Sequence, residues 1–330
     1  RRAAARWTLQ QVARLGVASV HELGGPHLGP LADLARVREV GEEVALDVVT
    51  YWGEVASAEA LERAAAVGVA GLAGDLCVDG SIGSRTAALH APYADAGHRG
   101  ARYLDDDEIA RHVRDCTRAG LQAGFHCIGD DAVAAAVDGL RRTAAELGTD
   151  AVRRAGHRLE HLEMVAESDI STLAELGVTA SVQPAFDAEW GRPGELYETR
   201  LGADRARRMN PFGALARAGV PLAFGTDAPV TPVAGWAMVQ AAVDHSRPDQ
   251  RLTAEGAFTA ATEGGHRAAG RGRAGRIAVG WRADLAAWDE PDLGGRSELL
   301  PRLAPGGPLP ACALTVAAGR IAYSHPDLSV

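Results

Sequence analysis

The sequence predicts an α/β fold of the (β/α)8 or TIM-type barrel class, and three observations support this prediction. Short β-type runs alternate along the chain with Ala-, Leu- and Arg-rich segments of helical character. This alternation is typical of repeated βα units, which build a parallel sheet. Seven β-type runs can be counted, one fewer than the strands that close such a barrel. The length of 330 residues suits one large barrel domain or two smaller domains.

Each candidate strand is a short apolar run followed by turn-forming residues. The seven runs cover residues 16–22, 45–52, 74–80, 122–129, 157–163, 179–186 and 221–228. We expect the remaining strand, which is strand one of the barrel, to precede Arg1. The chain begins with Arg rather than Met, so we expect the sequence to start inside a longer protein.

Helical segments separate the β-type runs. Residues 106–119 begin within the acidic turn DDDE of residues 105–108, which suits a helix N-terminus because its partial positive charge favours carboxylates. Residues 131–147 and 253–269 are also rich in helix-forming residues.

The chain changes character near its C-terminus. The runs GRIAVGWRADLAAWDE and ALTVAAGRIAYS are β-type and are punctuated by Gly. The sequence therefore predicts a barrel domain over residues 1–270, lacking strand one, and a small C-terminal β portion over residues 271–330. Within the second part, the Pro- and Gly-rich residues 291–310 are expected to form a surface loop.

The composition excludes several function classes. The net charge of −9 argues against nucleic-acid binding, which requires a basic surface. No apolar stretch approaches the ~18 residues of a membrane span, and the N-terminal residues lack the apolar core of a signal peptide. The four cysteines contain no CxxC pair, which fits reduced thiols and a cytoplasmic location. All 34 basic side chains are arginine, so no lysine is available as Schiff base, general base or carbamylated metal ligand.

His126 lies in the run GFHCIGD, at the exit of a candidate strand. Strand alternation places its side chain on the same face as Gly124 and Ile128, whereas Cys127 points to the other face. The carboxyl ends of barrel strands surround the active site, and imidazole is a common metal ligand. Asp130 follows in the turn, where it is expected either to orient the imidazole or to cap the next helix.

His161 lies in the following strand, in the run HRLEHLEM. Strand alternation places it on one face with Leu159 and His157. His157 is roughly 13 Å away along the strand, so the two imidazoles cannot bind one metal ion. The sequence therefore favours His161 as the ligand and His157 as a structural residue.

Asp227 follows a third strand in the run AFGTDAPV. An aspartate in this context is commonly a turn or helix N-cap residue, and beside a metal it can act as general base toward water. His126, His161 and Asp227 lie about one βα unit and then two units apart. Two imidazoles and a carboxylate that meet at the strand ends would form a zinc-type centre with an open position.

Two further residues are candidates for substrate binding. The loop DGSIGSRTAAL, residues 79–89, combines the carboxylate of Asp79, flexible glycines, hydroxyls and Arg85. Over a barrel mouth this arginine could clamp an anionic or carbonyl group, and otherwise it is a solvated residue of an ordinary turn. Gln183 in the run SVQP lies at another strand exit, where its side chain could hydrogen-bond a substrate amide.

Taken in order, these motifs resemble amidohydrolase family 3, which includes N-substituted formamide deformylase and related metal-dependent hydrolases. The resemblance covers nearly the whole chain. It rests on GVASVHE, VDGSIGSRTAALHAPY, FHCIGDDAV, HRLEHLEMV, SVQPAF, RLGADRARRMNPFGALARAGV, FGTDAPV and GWRADLAAWDEPD. It implies a (β/α)8 barrel with a β-sandwich that is formed from both chain ends.

The resemblance also implies roles for the three strand-exit residues. His126 and His161 match metal-binding histidines of strands five and six, and Asp227 matches the strand-eight aspartate that binds metal and shuttles the proton. The implied cofactor is Zn2+, as one or two divalent ions. The implied reaction is hydrolysis of a carbon–nitrogen bond other than a peptide bond, in an amide or N-substituted formamide. Water activated by the metal attacks the carbonyl, His161 helps to stabilise the oxyanion, and Asp227 passes the proton to the leaving amine.

The chain departs from the family pattern in two places. Members carry an HxH pair on strand one, whereas His21 and His27 lie on and after the run that corresponds to strand two. This departure indicates an N-terminally truncated chain. Many members also have a strand-four lysine in the pattern KIFxDG, and this chain has Asp75 there, followed by Cys77. Either side chain could supply a metal ligand instead, or both simply line the barrel.

Two other interpretations stay open from the sequence. One is a catalytically incomplete fragment or degenerate paralogue without the HxH pair, and the other is a mononuclear deaminase of a ring amidine. A gap between strands two and eight would expose backbone groups and invite pairing with another chain, which makes a homodimer an expected alternative. The expected partner of the enzyme is a small amide-type molecule, with no nucleic acid and no membrane.

Overall fold

The computed structural model describes residues 1–289, 300, 301 and 303–328. Its main feature is a parallel sheet with the strands β1 (Ser19–Gly24), β2 (Asp47–Trp52), β3 (Gly71–Leu72), β4 (Gln122–Cys127), β5 (Arg158–His161), β6 (Thr179–Val182) and β7 (Leu222–Phe224). The seven strands lie side by side in chain order, and all pairs are parallel. The sheet curls with helices on its outer side, which is the arrangement of a (β/α)8 barrel and confirms the predicted fold class. Within the described residues, β1 and β7 are the edge strands of this sheet.

Helices follow most of the strands and cover the outside of the sheet. They are α1 (Arg2–Ala13), α2 (Ala32–Glu43), α3 (Ala58–Val67), α4 (Asp106–Ala119), α5 (Asp130–Leu147), α6 (Thr149–Ala155), α7 (Glu167–Leu176), α8 (Pro184–Trp190), α9 (Leu196–Leu201), α10 (Ala203–Ala206), α11 (Phe212–Arg217), α12 (Gly235–Val243), α13 (Ala254–Thr259) and α14 (Gly265–Ala268). α4 matches its prediction, because a capping box of Asp105 and Glu108 starts it and Gly120 in the left-handed conformation ends it. Among the described residues, no helix is both long and apolar enough to cross a membrane.

The hydrophobic core lies between the sheet and its outer helices. Leu72, Phe125 and Leu159 of the strands belong to the same buried cluster as Ile109 of α4 and Leu140 of α5. All five side chains are almost completely buried. Since these residues face outward from the strands, alternation directs their strand neighbours into the barrel.

The third strand is much shorter than predicted. Residues 74–80 were expected to form a strand, but only the two residues of β3, which precede them, have regular strand structure. The chain then turns at Gly74, whose φ of +91° is unfavourable for any residue with a side chain. A single parallel bridge still connects Cys77 to His126 of β4, so the irregular segment stays beside the neighbouring strand end.

The helix predicted over residues 253–269 is interrupted. Helices α13 and α14 flank a π-helical turn, Ala260–Gly264. Gly264 packs against β7 so closely that a Cβ atom would collide with the carbonyl oxygen of Leu222. Only glycine permits this approach between helix and strand, and it coincides with the interruption.

A second, antiparallel sheet lies in the C-terminal part of the chain. Its strands are β8 (Leu285–Asp289), β9 (Ala311–Ala317) and β10 (Arg320–Ser324), with β9 in the centre. The sheet packs against α1, where the hydroxyl of Thr315 donates to the carbonyl of Ala13 at 2.7 Å. Half of the predicted loop over residues 291–310 lies outside the described residues, and the domain boundary near residue 270 stays a prediction.

Two buried histidines connect α4 and β5 to neighbouring segments. Nδ1 of His112 accepts the backbone N–H of Ala56 at 2.9 Å, and its Nε2 donates to the carbonyl of Leu72 at 3.0 Å. Nδ1 of His157 accepts the N–H of Ala123 at 2.9 Å, and its Nε2 meets a threonine hydroxyl of α4. Burial lowers the pKa of His112 to about 4 and that of His157 to about 3. Both rings are therefore neutral, and each has a structural role.

We predict that the free energy of unfolding decreases between about pH 7 and about pH 5. The unfolded chain binds protons at these imidazoles near their ordinary pKa of 6.5, whereas the folded chain binds them only well below it. The stability is therefore complete above pH 6.5 and is lost as the pH falls toward the folded pKa values. The expected loss at about pH 5 is up to about 2 kcal/mol per histidine, measured by urea unfolding at a series of pH values.

Two variants provide the comparison. His157→Gln should show a shallower pH dependence of the unfolding free energy, because one of the histidines with a lowered pKa is removed. His98→Gln changes an exposed histidine and should keep the original dependence. Identical pH dependence in all three proteins would contradict the structural assignment of His157.

Candidate metal centre

A cavity of about 1860 Å3 lies inside the curl of the sheet. Its wall includes residues of β1, β4, β5 and β6, together with the segment that follows β7. The carboxyl ends of the strands open into this cavity, which is where barrel proteins carry their active sites.

His126 lies near the end of β4 and points into the cavity. Its strand neighbours Phe125 and Cys127 belong to the core outside the sheet, so alternation directs the imidazole inward, as the sequence predicts. Nε2 donates to the carbonyl of Gly80 at 3.1 Å, which leaves the lone pair of the neutral ring on Nδ1. Burial lowers the pKa of this imidazole, and a neutral imidazole can bind a metal ion.

Asp79 fixes the segment that surrounds His126. Its fully buried carboxylate accepts three backbone N–H bonds, from Ala88 at 2.8 Å, Ile128 at 3.0 Å and Gly129 at 2.8 Å. Hydrogen bonds to an ionised acceptor are stronger than bonds between neutral groups. The carboxylate therefore holds the turn after β4, and it lies 3.8 Å from Nε2 of His126.

Asp130 has neither of the two roles that the sequence predicted for it. It is the first residue of α5, directly after the N-cap Gly129, and its carboxylate accepts the backbone N–H of His90 at 2.9 Å. Its charge complements the positive end of the helix. The prediction that Asp130 orients His126 or caps the helix was therefore wrong, and the carbonyl of Gly80 accepts the hydrogen bond of the ring instead.

His161 reaches the cavity because its backbone departs from strand geometry. Alternation would place it with Leu159, which packs in the outer core, but the φ of His161 is +73°. This left-handed conformation is uncommon for residues other than glycine and occurs at functional sites. The imidazole lines the cavity together with Glu160, and its ring centroid lies 4.4 Å from that of His126. The predicted shared face of His161, Leu159 and His157 was wrong.

Gln183 orients the His161 ring. Its Oε1 accepts a hydrogen bond from Nδ1 of His161 at 2.8 Å, which leaves the lone pair on Nε2. Burial lowers the pKa of this imidazole as well. A neutral ring held in one tautomer through its second nitrogen is the usual state of a metal-binding histidine. The contact that we predicted between Gln183 and a substrate amide stays a prediction.

Asp75, Cys77 and His126 form a compact cluster of possible metal ligands. One donor atom of each lies within 4.8 Å of the other two. Sγ of Cys77 is 3.4 Å from Oδ1 of Asp75, and Oδ2 of Asp75 is 2.8 Å from Nε2 of His27. Burial, with the Asp75 charge adding to it, raises the pKa of the Cys77 thiol to about 12. A thiol that coordinates a metal ion is deprotonated instead.

Asp227 follows β7 and lines the same cavity. Its backbone is left-handed like that of His161, with a φ of +52°. Burial raises the pKa of its carboxyl group; the nearby His126 opposes this shift, and Asp75 adds to it. Asp227 also helps to raise the pKa of Cys77, so it shares the electrostatic environment of the ligand cluster.

The donor atoms around the cavity fit a divalent metal ion such as zinc. Imidazole nitrogen, carboxylate oxygen and thiolate sulfur are the usual ligands of zinc in proteins. His126 and His161 supply two neutral imidazoles, and Asp75 and Asp227 supply negative charge. The structure thus brings the three predicted strand-exit residues to one cavity, together with Asp75, and places Cys77 beside Asp75 and His126.

Arg85 does not line the cavity within the described part of the chain. Its guanidinium donates two hydrogen bonds to Asp95, at 2.9 and 2.8 Å, and Arg200 pairs with the same carboxylate. The hydrogen bond from Arg85 and the second arginine hold the pKa of Asp95 well below its usual range. The structure therefore does not bring Arg85 to the other candidate residues, and its contact with substrate stays a prediction.

The sequence did not predict the positions that two acidic residues, Asp79 and Glu163, have in the site. Asp79 was noted only as a carboxylate of a flexible loop, although the Asp-Gly pair does signal a turn. Glu163 lines the cavity and is buried. Burial raises its pKa to about 7; the hydroxyl of Tyr197 opposes the shift, and Asp79 and Asp227 add to it. Its only sequence signal is its position two residues after His161.

A curled parallel sheet with imidazoles and carboxylates at its carboxyl edge defines a barrel protein with a candidate metal centre. The chain belongs to the amidohydrolase family, whose family model matches residues 1–323. This match confirms the resemblance at the level of the family. The closer likeness to N-substituted formamide deformylase stays a prediction.

Curated relatives match parts of the chain. A putative amidohydrolase, YtcJ of Bacillus subtilis, is 29% identical over 169 residues, which cover 50% of this chain and 30% of that protein. Imidazolonepropionase of Xanthomonas campestris is 33% identical over 137 residues, which cover 39% of this chain and 29% of that protein. The chain therefore spans less than a third of either relative.

Solved structures show the same fold. An uncharacterised metal-dependent hydrolase from Pyrococcus furiosus has a TM-score of 0.67 at 26% identity, covering 84% of this chain and 57% of that one. Atrazine chlorohydrolase TrzN from Arthrobacter aurescens, complexed with zinc, has a TM-score of 0.62 at 17% identity, covering 100% of this chain and 74% of that one. At this lower identity the second match shows the fold alone.

We predict that His126→Asn weakens Zn2+ binding by at least about tenfold, because one imidazole ligand is lost. Gln183→Leu should weaken it by about tenfold, since the His161 tautomer is no longer fixed. Competition with a chromogenic chelator measures both affinities. His325→Asn changes a half-exposed histidine of the C-terminal part and serves as control. Unchanged Zn2+ affinity in His126→Asn would contradict the assignment.

Proposed function

We propose that this protein is a metal-dependent hydrolase of carbon–nitrogen bonds other than peptide bonds. The observation that carries the proposal is that His126, His161 and Asp227 line one cavity at the carboxyl ends of three strands. Membership of the amidohydrolase family supports the reaction class. The similarity to a metal-dependent hydrolase and to imidazolonepropionase supports it further.

The cofactor that we propose is Zn2+, as one or two ions. The lone pairs of His126 and His161, with the carboxylate of Asp227, would hold it. Asp75 and Cys77 lie next to His126 and are the residues that could replace the bridging lysine of related proteins. When bound, the metal supplies a Lewis acid that polarises a carbonyl group and lowers the pKa of water.

Asp227 is the residue that we propose for proton transfer. A general base must lie within reach of the water that it deprotonates, and Asp227 lines the cavity together with His126 and His161. In the hydrolysis of an amide it would take the proton of the attacking water and deliver it to the leaving nitrogen. The left-handed backbone at this position fixes the direction from which the carboxylate approaches.

We assign His161 to metal binding. Because Gln183 accepts the Nδ1 proton, Nε2 carries a lone pair and has no proton to donate. A hydrogen bond from His161 to the oxyanion, which the family resemblance implies, would require a different protonation state of the ring. Gln183 is thus a positioning residue for His161 in this proposal.

The substrate that we propose is a small amide, specifically an N-substituted formamide. The strand ends provide the polar part of the cavity, and Phe186 and Trp190 of α8 provide an aromatic part of its wall. A cavity with apolar walls and a few convergent polar groups is typical of small-molecule sites. An apolar N-substituent would lie against the aromatic wall while the amide group lies at the strand ends.

We predict that Asp227→Asn lowers the rate of amide hydrolysis by about 100- to 10,000-fold, because the general base is lost. Because Asp227 is also a proposed metal ligand, the rate is measured at saturating Zn2+ and the metal content is verified by mass spectrometry. Asp204→Asn changes an aspartate whose side chain is 86% exposed and should hydrolyse like the unmodified protein.

Product analysis separates this proposal from its alternatives. An amine together with a carboxylate is the expected product pair, whereas free ammonia from a ring amidine would indicate a deaminase. Undiminished hydrolysis in Asp227→Asn would remove Asp227 from the mechanism.

A further inference from the structure

Glu163, Tyr197 and Asn210 form a buried polar cluster beside the candidate metal centre. The exposed fractions of the three residues are 3%, 1% and 1%, and the backbone N–H of Asn210 donates to the carbonyl of Glu163 at 2.8 Å. Within the described part of the chain, Glu163 Oε2, the Tyr197 hydroxyl and Asn210 Nδ2 have no hydrogen-bond partner. Tyr197 faces both Glu163 and Asn210, yet none of the three atoms reaches hydrogen-bond geometry, whereas buried polar atoms are nearly always paired.

No cationic side chain compensates the carboxylate of Glu163 at its Oε2 atom, which has no partner within the described residues. The Tyr197 hydroxyl faces the carboxylate and favours its ionised form, although the two groups do not reach hydrogen-bond geometry. Glu163 and Tyr197 both line the cavity, so a ligand in the cavity could approach this carboxylate.

A row of aromatic rings connects this cluster to the metal centre. The Phe186 ring stacks beside His161, with centroids 6.0 Å apart and an interplanar angle of 9°. Trp190 follows at 4.8 Å from Phe186, and Tyr197 follows at 6.2 Å from Trp190. All four side chains line the cavity. One end of the row therefore lies at the candidate metal ligand His161 and the other at Glu163.

We propose that Glu163 and Tyr197 bind a cationic group of the substrate, an amine or amidine, at the far end of this aromatic row. The cation would donate hydrogen bonds to the carboxylate of Glu163 and to the phenol oxygen of Tyr197. The neighbouring ring faces would attract it further. This inference rests on the proposed function, because the other end of the substrate then lies at His161. The substrate class is an amide whose apolar or aromatic body carries a cation.

The test uses two small probes that differ in charge. Benzamidine carries an amidinium group on a phenyl ring, and benzyl alcohol is an uncharged counterpart of similar size. Isothermal titration calorimetry with the purified chain measures the Kd of each probe. We expect benzamidine to bind more tightly than benzyl alcohol to the unmodified protein.

Three variants locate the bound cation. Glu163→Gln should weaken benzamidine binding by at least about tenfold, and Tyr197→Phe by about two- to fivefold. Both variants should change benzyl alcohol binding by less than about twofold. Glu255→Gln removes the same charge from an exposed position of the cavity wall, outside the aromatic row. It should leave benzamidine binding nearly unchanged.

Two results would overturn the inference: equal binding of the two probes by the unmodified protein, or equal weakening of benzamidine binding in Glu163→Gln and Glu255→Gln. Thermal denaturation verifies that each variant is folded. If Glu163→Gln does not fold, Tyr197→Phe decides, since it removes a single oxygen. A loss confined to benzamidine supports the inference, and an unchanged Kd overturns it.

The probe experiment does not require catalysis, so its outcome is separable from that of the proposed function. A protein that binds benzamidine through Glu163 and hydrolyses no amide would refute the proposed function alone. A protein that hydrolyses amides and binds benzamidine independently of Glu163 would refute only the substrate class inferred here.

Discussion

The buried carboxylate of Asp79 is the interaction on which the geometry of the candidate site depends. It accepts the N–H groups of Ala88, Ile128 and Gly129, and so joins the loop after the irregular third strand to the exit of β4. The carbonyl of the next residue, Gly80, accepts the Nε2 proton of His126. One acidic side chain therefore sets the turn, the ring orientation and the position of the lone pair. Without it, three backbone donors would be buried without acceptors, and each such loss costs roughly 1–3 kcal/mol.

The parts of the fold that depend on local patterns could be predicted from the sequence. The bounds of α4 follow from its capping residues, and the inward direction of His126 follows from strand alternation. The same rule gave the wrong face for His161, because its left-handed φ of +73° reverses the direction that alternation assigns. That conformation is imposed by the surroundings of the strand exit rather than by the preference of histidine. The sequence therefore indicated the residue, and only the structure could show how it reaches the cavity.

Contacts between distant segments could not be predicted in this way. Asp75 was noted as a replacement for a lysine, but its hydrogen bond with His27 joins residues 48 positions apart. Glu163 follows His161 in a run that resembles an ordinary strand end, and its importance arises from Tyr197 and from its burial. Arg85 was predicted as a residue that could bind substrate, but its guanidinium donates two hydrogen bonds to Asp95. Periodicity contains no information about such pairs, which depend on how the elements pack.

The distribution of charged side chains in the cavity favours the binding of cations. Deeper in the barrel the buried carboxylate of Glu160 is matched by Arg158, which also lies over the ring of Tyr51, so this pair is internally neutral. At the strand ends, burial raises the pKa values of Glu163 and Asp227; Asp227 adds to the shift of Glu163, and Asp75 adds to that of Asp227. Holding several carboxylates together in a partly buried space destabilises the folded chain, because each ionised group is both desolvated and repelled by the others. Cations that bind there relieve this repulsion and stabilise the folded state by linkage. The same imbalance thus favours a metal ion beside His126 and a positive group beside Glu163, at two ends of one cavity.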